Sequence, residues 1–137
     1  MKALYSTKAT VTGGRAGKAT LSDNDLSINM VPPGSDKEGN NPEQMFAIGY
    51  SACFDGALGA VKQMEKATFD STTEIEVDLL QGDSHDYKLA AKIYVVGENT
   101  ELSADEFQKL VEKAHQVCPY SKATRGNIDV EVTSEVK

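Results

Sequence analysis

Two cysteines carry most of the chemical possibility in this chain. Cys53 lies in "GYSACFDGAL", residues 49–58, a run with a single charge, and Cys118 lies in "HQVCPYSKATRGN", immediately before a proline. A thiolate is a strong nucleophile and a redox centre, whereas a protonated thiol in an apolar helix is simply a small hydrophobe. Cys53 has no cation close to it in sequence, so any activation must come from another part of the fold. Cys118 stands at a helix end, where a side chain is either inert or partly exposed and mobile. Sixty-five residues separate the two, and the sequence alone establishes no contact between them.

Arg15 is the candidate cation. A guanidinium beside a sulfur favours the thiolate and lowers the thiol below its reference value of about 8.5. Its alternative is a solvated arginine at a turn. Glu43 is equally ambiguous, because a carboxylate in the first turn of a helix is stabilised by the helix dipole whatever else it does.

Other constellations fail. "TGGRAGKAT" approaches a phosphate-binding loop, but Thr12 stands at the first glycine position and Ala19 follows Lys18, so phosphate binding is rejected. Cys53, Cys118, His85 and His115 show none of the paired spacings of a zinc site. His85 reads as a loop residue and His115 as a polar residue at a helix end. No nucleophile elbow is present.

These residues need elements to position them. Alternation on both sides of "GGRAG" predicts two strands with Arg15 at the hairpin tip. "DLSINMV" reads as a third strand, ending at Pro32 and Pro33. Asn41, Pro42, Glu43 and Gln44 form a helix start. From Pro42 to about Ala67 the pattern predicts one long helix, apolar nearly all round and therefore central and buried. Ile75, Val77 and Leu79, then Tyr87 to Val95, alternate as two antiparallel strands around "QGDSHD". Ser103 with Glu106 opens an amphipathic helix that Pro119 ends, and Ile128, Val130 and Val132 give a last strand. With no repeated βαβ unit, the fold class is α+β.

Composition limits the rest. A chain of 137 residues, 39% hydrophobic, predicts a single domain over 1–137. A net charge of -7 without a basic cluster argues against nucleic acid and anionic membrane as partners. "MKALYSTKATVTGG" lacks an apolar signal region, and no apolar run approaches a bilayer span, so the expectation is a cytoplasmic protein. There thiols stay reduced, and two cysteines that matter do so as chemistry rather than as a staple.

Two long motifs, "NPEQMFAIGYSACFDGAL" and "AHQVCPYSKATRGNIDVEV", with the short "TGGRAG", strongly resemble the organic hydroperoxide resistance proteins of the Ohr/OsmC superfamily, in the same order and over essentially the whole chain. The resemblance implies antiparallel sheets around a long buried helix, in an intertwined homodimer with two sites. It makes Cys53 the peroxidatic cysteine and Cys118 the resolving cysteine, with Arg15 and Glu43 activating and orienting the site. It also implies reduction of an organic hydroperoxide to its alcohol, with no metal, haem or flavin, and a disulfide recycled by a dithiol such as dihydrolipoamide or a lipoylated protein. Ala16 and Asp55 depart from the family's usual residues. Asp55 lies about 200° around the helix from Cys53 and should point away from the sulfur. Two other readings stand beside this one: a broader OsmC-like peroxidase with a different peroxide preference, and a non-catalytic module for apolar ligands.

One spacing constrains the site. Ten residues between Glu43 and Cys53 make about 15 Å of rise on an unbroken helix, too far for one arginine to touch both easily. Either the helix breaks near Gly49, or the arginine and carboxylate come from a partner chain.

Overall fold

The computed structural model describes residues 1–137, and the chain divides into two compact units, Met1–Met45 and Phe46–Lys137.

In the first unit three strands form an antiparallel sheet, β1 (Ala9–Thr12), β2 (Lys18–Leu21) and β3 (Ser27–Asn29), in that order. The turn after β1 works because Gly13 and Gly14 adopt φ of 79° and 57°, a region side chains rarely occupy. A single 3-10 turn over Gly14–Ala16 then places Arg15 at the tip, where the sequence puts it. The unit's own residues bury little: β1 is exposed throughout, and Leu4, Tyr5 and Val11 are open to solvent. A small sheet with uncovered faces is marginal alone.

The long helix α1 runs without a break over Pro42–Met64. Asn41 caps it reciprocally with Gln44: the Gln44 N–H donates to Asn41 Oδ1 at 2.8 Å, and the Asn41 N–H donates to Gln44 Oε1 at 3.0 Å. This is the capping-box arrangement with amide side chains in both roles. The helix is not buried all round, as its composition suggests. Tyr50, Phe54, Ala57, Leu58 and Val61 form one buried stripe, while Ile48, Ala52, Gly56, Gly59 and Ala60 lie exposed on the other side. Apolar composition sets no face by itself; burial follows from what packs against the helix, and one chain covers one side.

In the second unit β4 (Asp70–Gln81), β5 (Tyr87–Glu98) and β6 (Val130–Val136) form a sheet with β5 central. The β4–β5 pair is antiparallel, with Gln81 opposite Tyr87 at the turn. The β5–β6 pair corrects the expectation of purely antiparallel sheets, since it runs parallel with Ala91 opposite Val130. Parallel neighbours need a crossover, and the helices between them supply it by carrying the chain back to the start of β5.

Those helices are α2 (Ala104–Val117) and α3 (Pro119–Thr124). Ser103 and Glu106 cap α2 as expected. Pro119 ends α2, but it also begins α3, a helix the sequence reading passes over. Proline is well suited to a first helical position, because that residue's N–H needs no partner. Cys118, forced to an extended ψ of 123° by the following proline, is the joint between the two helices. Tyr50, Phe54 and Leu58 pack with Ile93 and Val95 of β5 and with Phe107 and Val111 of α2 in one core. Phe107 stands directly on Gly97, where an added Cβ would come within 2.8 Å of its ring.

Candidate active site

Each unit holds one half of the candidate set. In residues 1–45, the hairpin tip and the first turn of α1 meet: Arg15 Nη1 donates to Glu43 Oε2 at 2.9 Å, and Nη2 donates to Oε1 at 2.5 Å. This is a bidentate fork, which fixes the plane and direction of the guanidinium as a single contact could not. Hydrogen bonding from Arg15 holds the Glu43 carboxyl below the ordinary carboxylate range, and the same contact raises Arg15. The Glu43 side chain is 13% exposed and that of Arg15 51%, so the arginine keeps an open side.

In residues 46–137, α1 presents Cys53 and the α2–α3 joint presents Cys118. The two sulfurs are 3.7 Å apart, and both cysteines are free. Cys118 is fully buried within the core cluster, so of the two readings of its helix-end position the partly exposed one does not hold. Cys53 is half-buried. Burial pushes the Cys53 thiol up, the backbone N–H of Tyr120 pulls it down, and the neighbouring Cys118 raises it again. No cation is among these influences. The expected lowering is therefore absent within this unit, because loss of water around the sulfur outweighs one backbone donor.

The sequence reading misses the surroundings of this pair. Phe46, Tyr50 and Tyr120 form an aromatic cluster, with Tyr50 and Tyr120 in edge-to-face contact at 5.6 Å. Gly49 is the notch that admits Tyr120: a Cβ there would lie 2.8 Å from the Tyr120 hydroxyl. Gly49 thus does not break the helix; it makes room. Tyr120 sits at the start of α3, a placement that the "CPY" triplet could have signalled through proline's preference for helix starts. An open cleft of about 470 Å³ is lined by Phe46, Leu89 and Ile128 with Lys88 and Asn127, and includes neither sulfur.

The remaining candidates separate from the pair. Asp55 accepts a hydrogen bond from Thr73 at 2.8 Å on the exposed side of α1, away from the sulfur as expected. His85 lies in the β4–β5 turn. His115 is a polar residue in the last turn of α2, as expected, and its Nδ1 lies 2.7 Å from Ser121 Oγ. Arg125, exposed after α3, donates to the His115 carbonyl at 2.6 Å and ties the end of α3 to α2.

Known proteins share this architecture and sequence. The model of the OsmC-like protein family matches residues 34–133. Organic hydroperoxide resistance protein OhrB of Bacillus subtilis is 44% identical over 133 residues, covering 95% of this chain and 97% of that protein. This chain belongs to the organic hydroperoxide resistance proteins of the OsmC-like family. The relative from Xanthomonas axonopodis pv. citri is 43% identical, with 96% and 95% of the two chains covered. A crystal structure of a family member from Legionella pneumophila superposes with a TM-score of 0.90 at 39% identity, over 98% of this chain and all of that one. Family membership accounts for the α+β fold, with its two small sheets and long helix. No helix is long and apolar enough to cross a membrane.

Proposed function

We propose that this protein is a cysteine-based peroxidase that reduces organic hydroperoxides to alcohols, with Cys53 as attacking and Cys118 as resolving residue. The observation that carries the reading is the meeting of two free thiols, 65 residues apart in the chain, at 3.7 Å. A disulfide needs a sulfur separation near 2.05 Å, so about 2 Å of closure suffices. The names of the relatives supply the substrate class. The Cys53 thiolate attacks the terminal peroxide oxygen, the O–O bond breaks, and the alkoxide takes a proton to leave as the alcohol. Cys53 is then a sulfenic acid. Cys118 displaces its hydroxyl, which leaves with the thiol proton as water, and the disulfide protects Cys53 from irreversible oxidation. A dithiol such as dihydrolipoamide, free or on a lipoylated protein, returns both sulfurs to thiols by exchange. None of these steps calls on a metal, haem or flavin, and they suit a cytoplasmic setting that keeps thiols reduced.

Arg15 has the further part of stabilising the Cys53 thiolate and the oxygens during O–O cleavage, held in direction by Glu43. Because α1 is unbroken from Pro42 to Met64, the first of the two routes for bringing these groups to the sulfur is closed. The second has the arginine and carboxylate act on the sulfur of a partner chain in a homodimer. The open face of α1, with Ile48 61% exposed, and the uncovered first sheet are consistent with such pairing. Sedimentation should give a dimer across micromolar concentrations; a stable and active monomer would overturn the arrangement.

The reaction is tested by mass spectrometry after one equivalent of cumene hydroperoxide. The expected product has lost two hydrogens per chain, with the peptides of Cys53 and Cys118 joined. An unchanged chain with free thiols would identify a non-catalytic module instead. Relative rates with hydrogen peroxide and a fatty-acid hydroperoxide assign the preferred peroxide.

A further inference from the structure

Beside the two sulfurs runs a chain of hydroxyls that the cysteine chemistry does not use. Ser121, fully buried in the first turn of α3, places Oγ 2.8 Å from Tyr50 Oη on α1 and 2.7 Å from His115 Nδ1 on α2. Tyr50 Oη is also 3.3 Å from Thr124 Oγ1, and Thr124 donates to the Ser121 carbonyl at 3.1 Å. Threonine has one hydroxyl proton, so the direction of the whole chain follows. Tyr50 donates to Thr124, Ser121 donates to Tyr50, and His115 donates from Nδ1 to Ser121. Burial and then Arg125 lower the His115 pKa, which favours the neutral ring, and the chain assigns that ring its Nδ1–H tautomer. No proton of this chain is directed at a sulfur, so it acts as a brace and not as a relay.

We propose that Ser121 is a positioning residue for disulfide formation: its hydroxyl braces the start of α3 between Tyr50 and His115, and so holds Cys118 Sγ 3.7 Å from Cys53 Sγ. The inference rests on the peroxidase reading above. Its physical basis is the unequal anchoring of the two sulfurs. Cys53 rides on a helix of 23 residues fastened by Tyr50, Phe54 and Leu58, whereas Cys118 is an extended joint leading into a helix of only 6. A helix so short has little stability of its own and takes its position from tertiary contacts. The step served is the one in which the Cys53–Cys118 bond forms, the sulfenic S–O bond breaks and water leaves; no outside electrons enter.

The test separates that step from peroxide attack. Ser121→Ala and Tyr50→Phe are each mixed with one equivalent of cumene hydroperoxide, quenched with dimedone at intervals and weighed by mass spectrometry. Tyr50→Phe keeps the ring and its packing, so it reports even where the serine variant folds poorly. The expected result is Cys53 oxidation within about threefold of the parent rate, a split that uniform loss of structure would not give. Disulfide formation should slow about tenfold or more, as small misplacements of reacting atoms do, with dimedone-trapped sulfenic acid accumulating. Disulfide formation at the parent rate in both variants, or equal slowing of both steps, would overturn the role of Ser121 alone. A parent protein whose thiols survive the peroxide would remove the peroxidase reading and this inference together.

Discussion

Cys53→Ser lowers hydroperoxide turnover by at least about a thousandfold, because a serine hydroxyl is neither ionised at neutral pH nor able to pass through a sulfenic acid. Cys118→Ser behaves differently. It consumes about one equivalent of peroxide per chain in forming the Cys53 sulfenic acid, which has no neighbouring thiol to condense with, and a second, slower equivalent of peroxide then oxidises that group to sulfinic acid. The contrast follows from the 3.7 Å approach of two sulfurs, of which only Cys53 is accessible while Cys118 is fully buried. Peroxide consumption with dihydrolipoamide as reductant, followed by intact-mass analysis, measures both variants. Parent-like turnover in Cys53→Ser would remove the reaction from these cysteines.

Arg15→Ala should cost about a hundredfold or more in the rate of Cys53 with an organic hydroperoxide, in line with the loss of a preorganised donor. The sign of the pH effect follows from the opposing influences on the thiol. Burial raises Cys53, and in the proposed dimer the guanidinium of a partner chain counters it by favouring the anion. Removing the cation leaves burial opposed by the Tyr120 N–H alone, so the curve of Cys53 alkylation against pH moves to higher pH in the variant. Arg15→Lys should restore little, since an ammonium cannot make the two-pronged contact that Glu43 makes with the guanidinium. Glu43 sets the acid limit. Its pKa is depressed by the pair, so the contact is complete above the unfolded carboxylate value and is lost as pH falls through the lower folded value. Iodoacetamide alkylation of Cys53 from pH 5 to pH 10 reads the shift, and superimposable curves for parent and Arg15→Ala would refute the assignment.

Much of the fold is legible because it is local. The Asn41–Gln44 and Ser103–Glu106 caps, the glycine turn that carries Arg15, and the alternating strands β4 and β5 each depend on residues a few positions apart. The short α3 escapes because Pro119 is a stop for one helix and a start for the next, and both readings satisfy the same rule. The parallel β6 escapes for a different reason: strand direction depends on the path of the crossover, which alternation within the strand does not encode.

Residue types and motifs alone single out Cys53, Cys118, Arg15 and Glu43 as candidates, and local signals suffice to build the helix and hairpin that carry them. Only the tertiary structure decides that the two sulfurs meet, that Arg15 grips Glu43, and that Cys118 is fully buried. The reason is physical: these contacts join residues 28 and 65 positions apart, and their formation depends on packing of whole elements, which no short window of sequence contains.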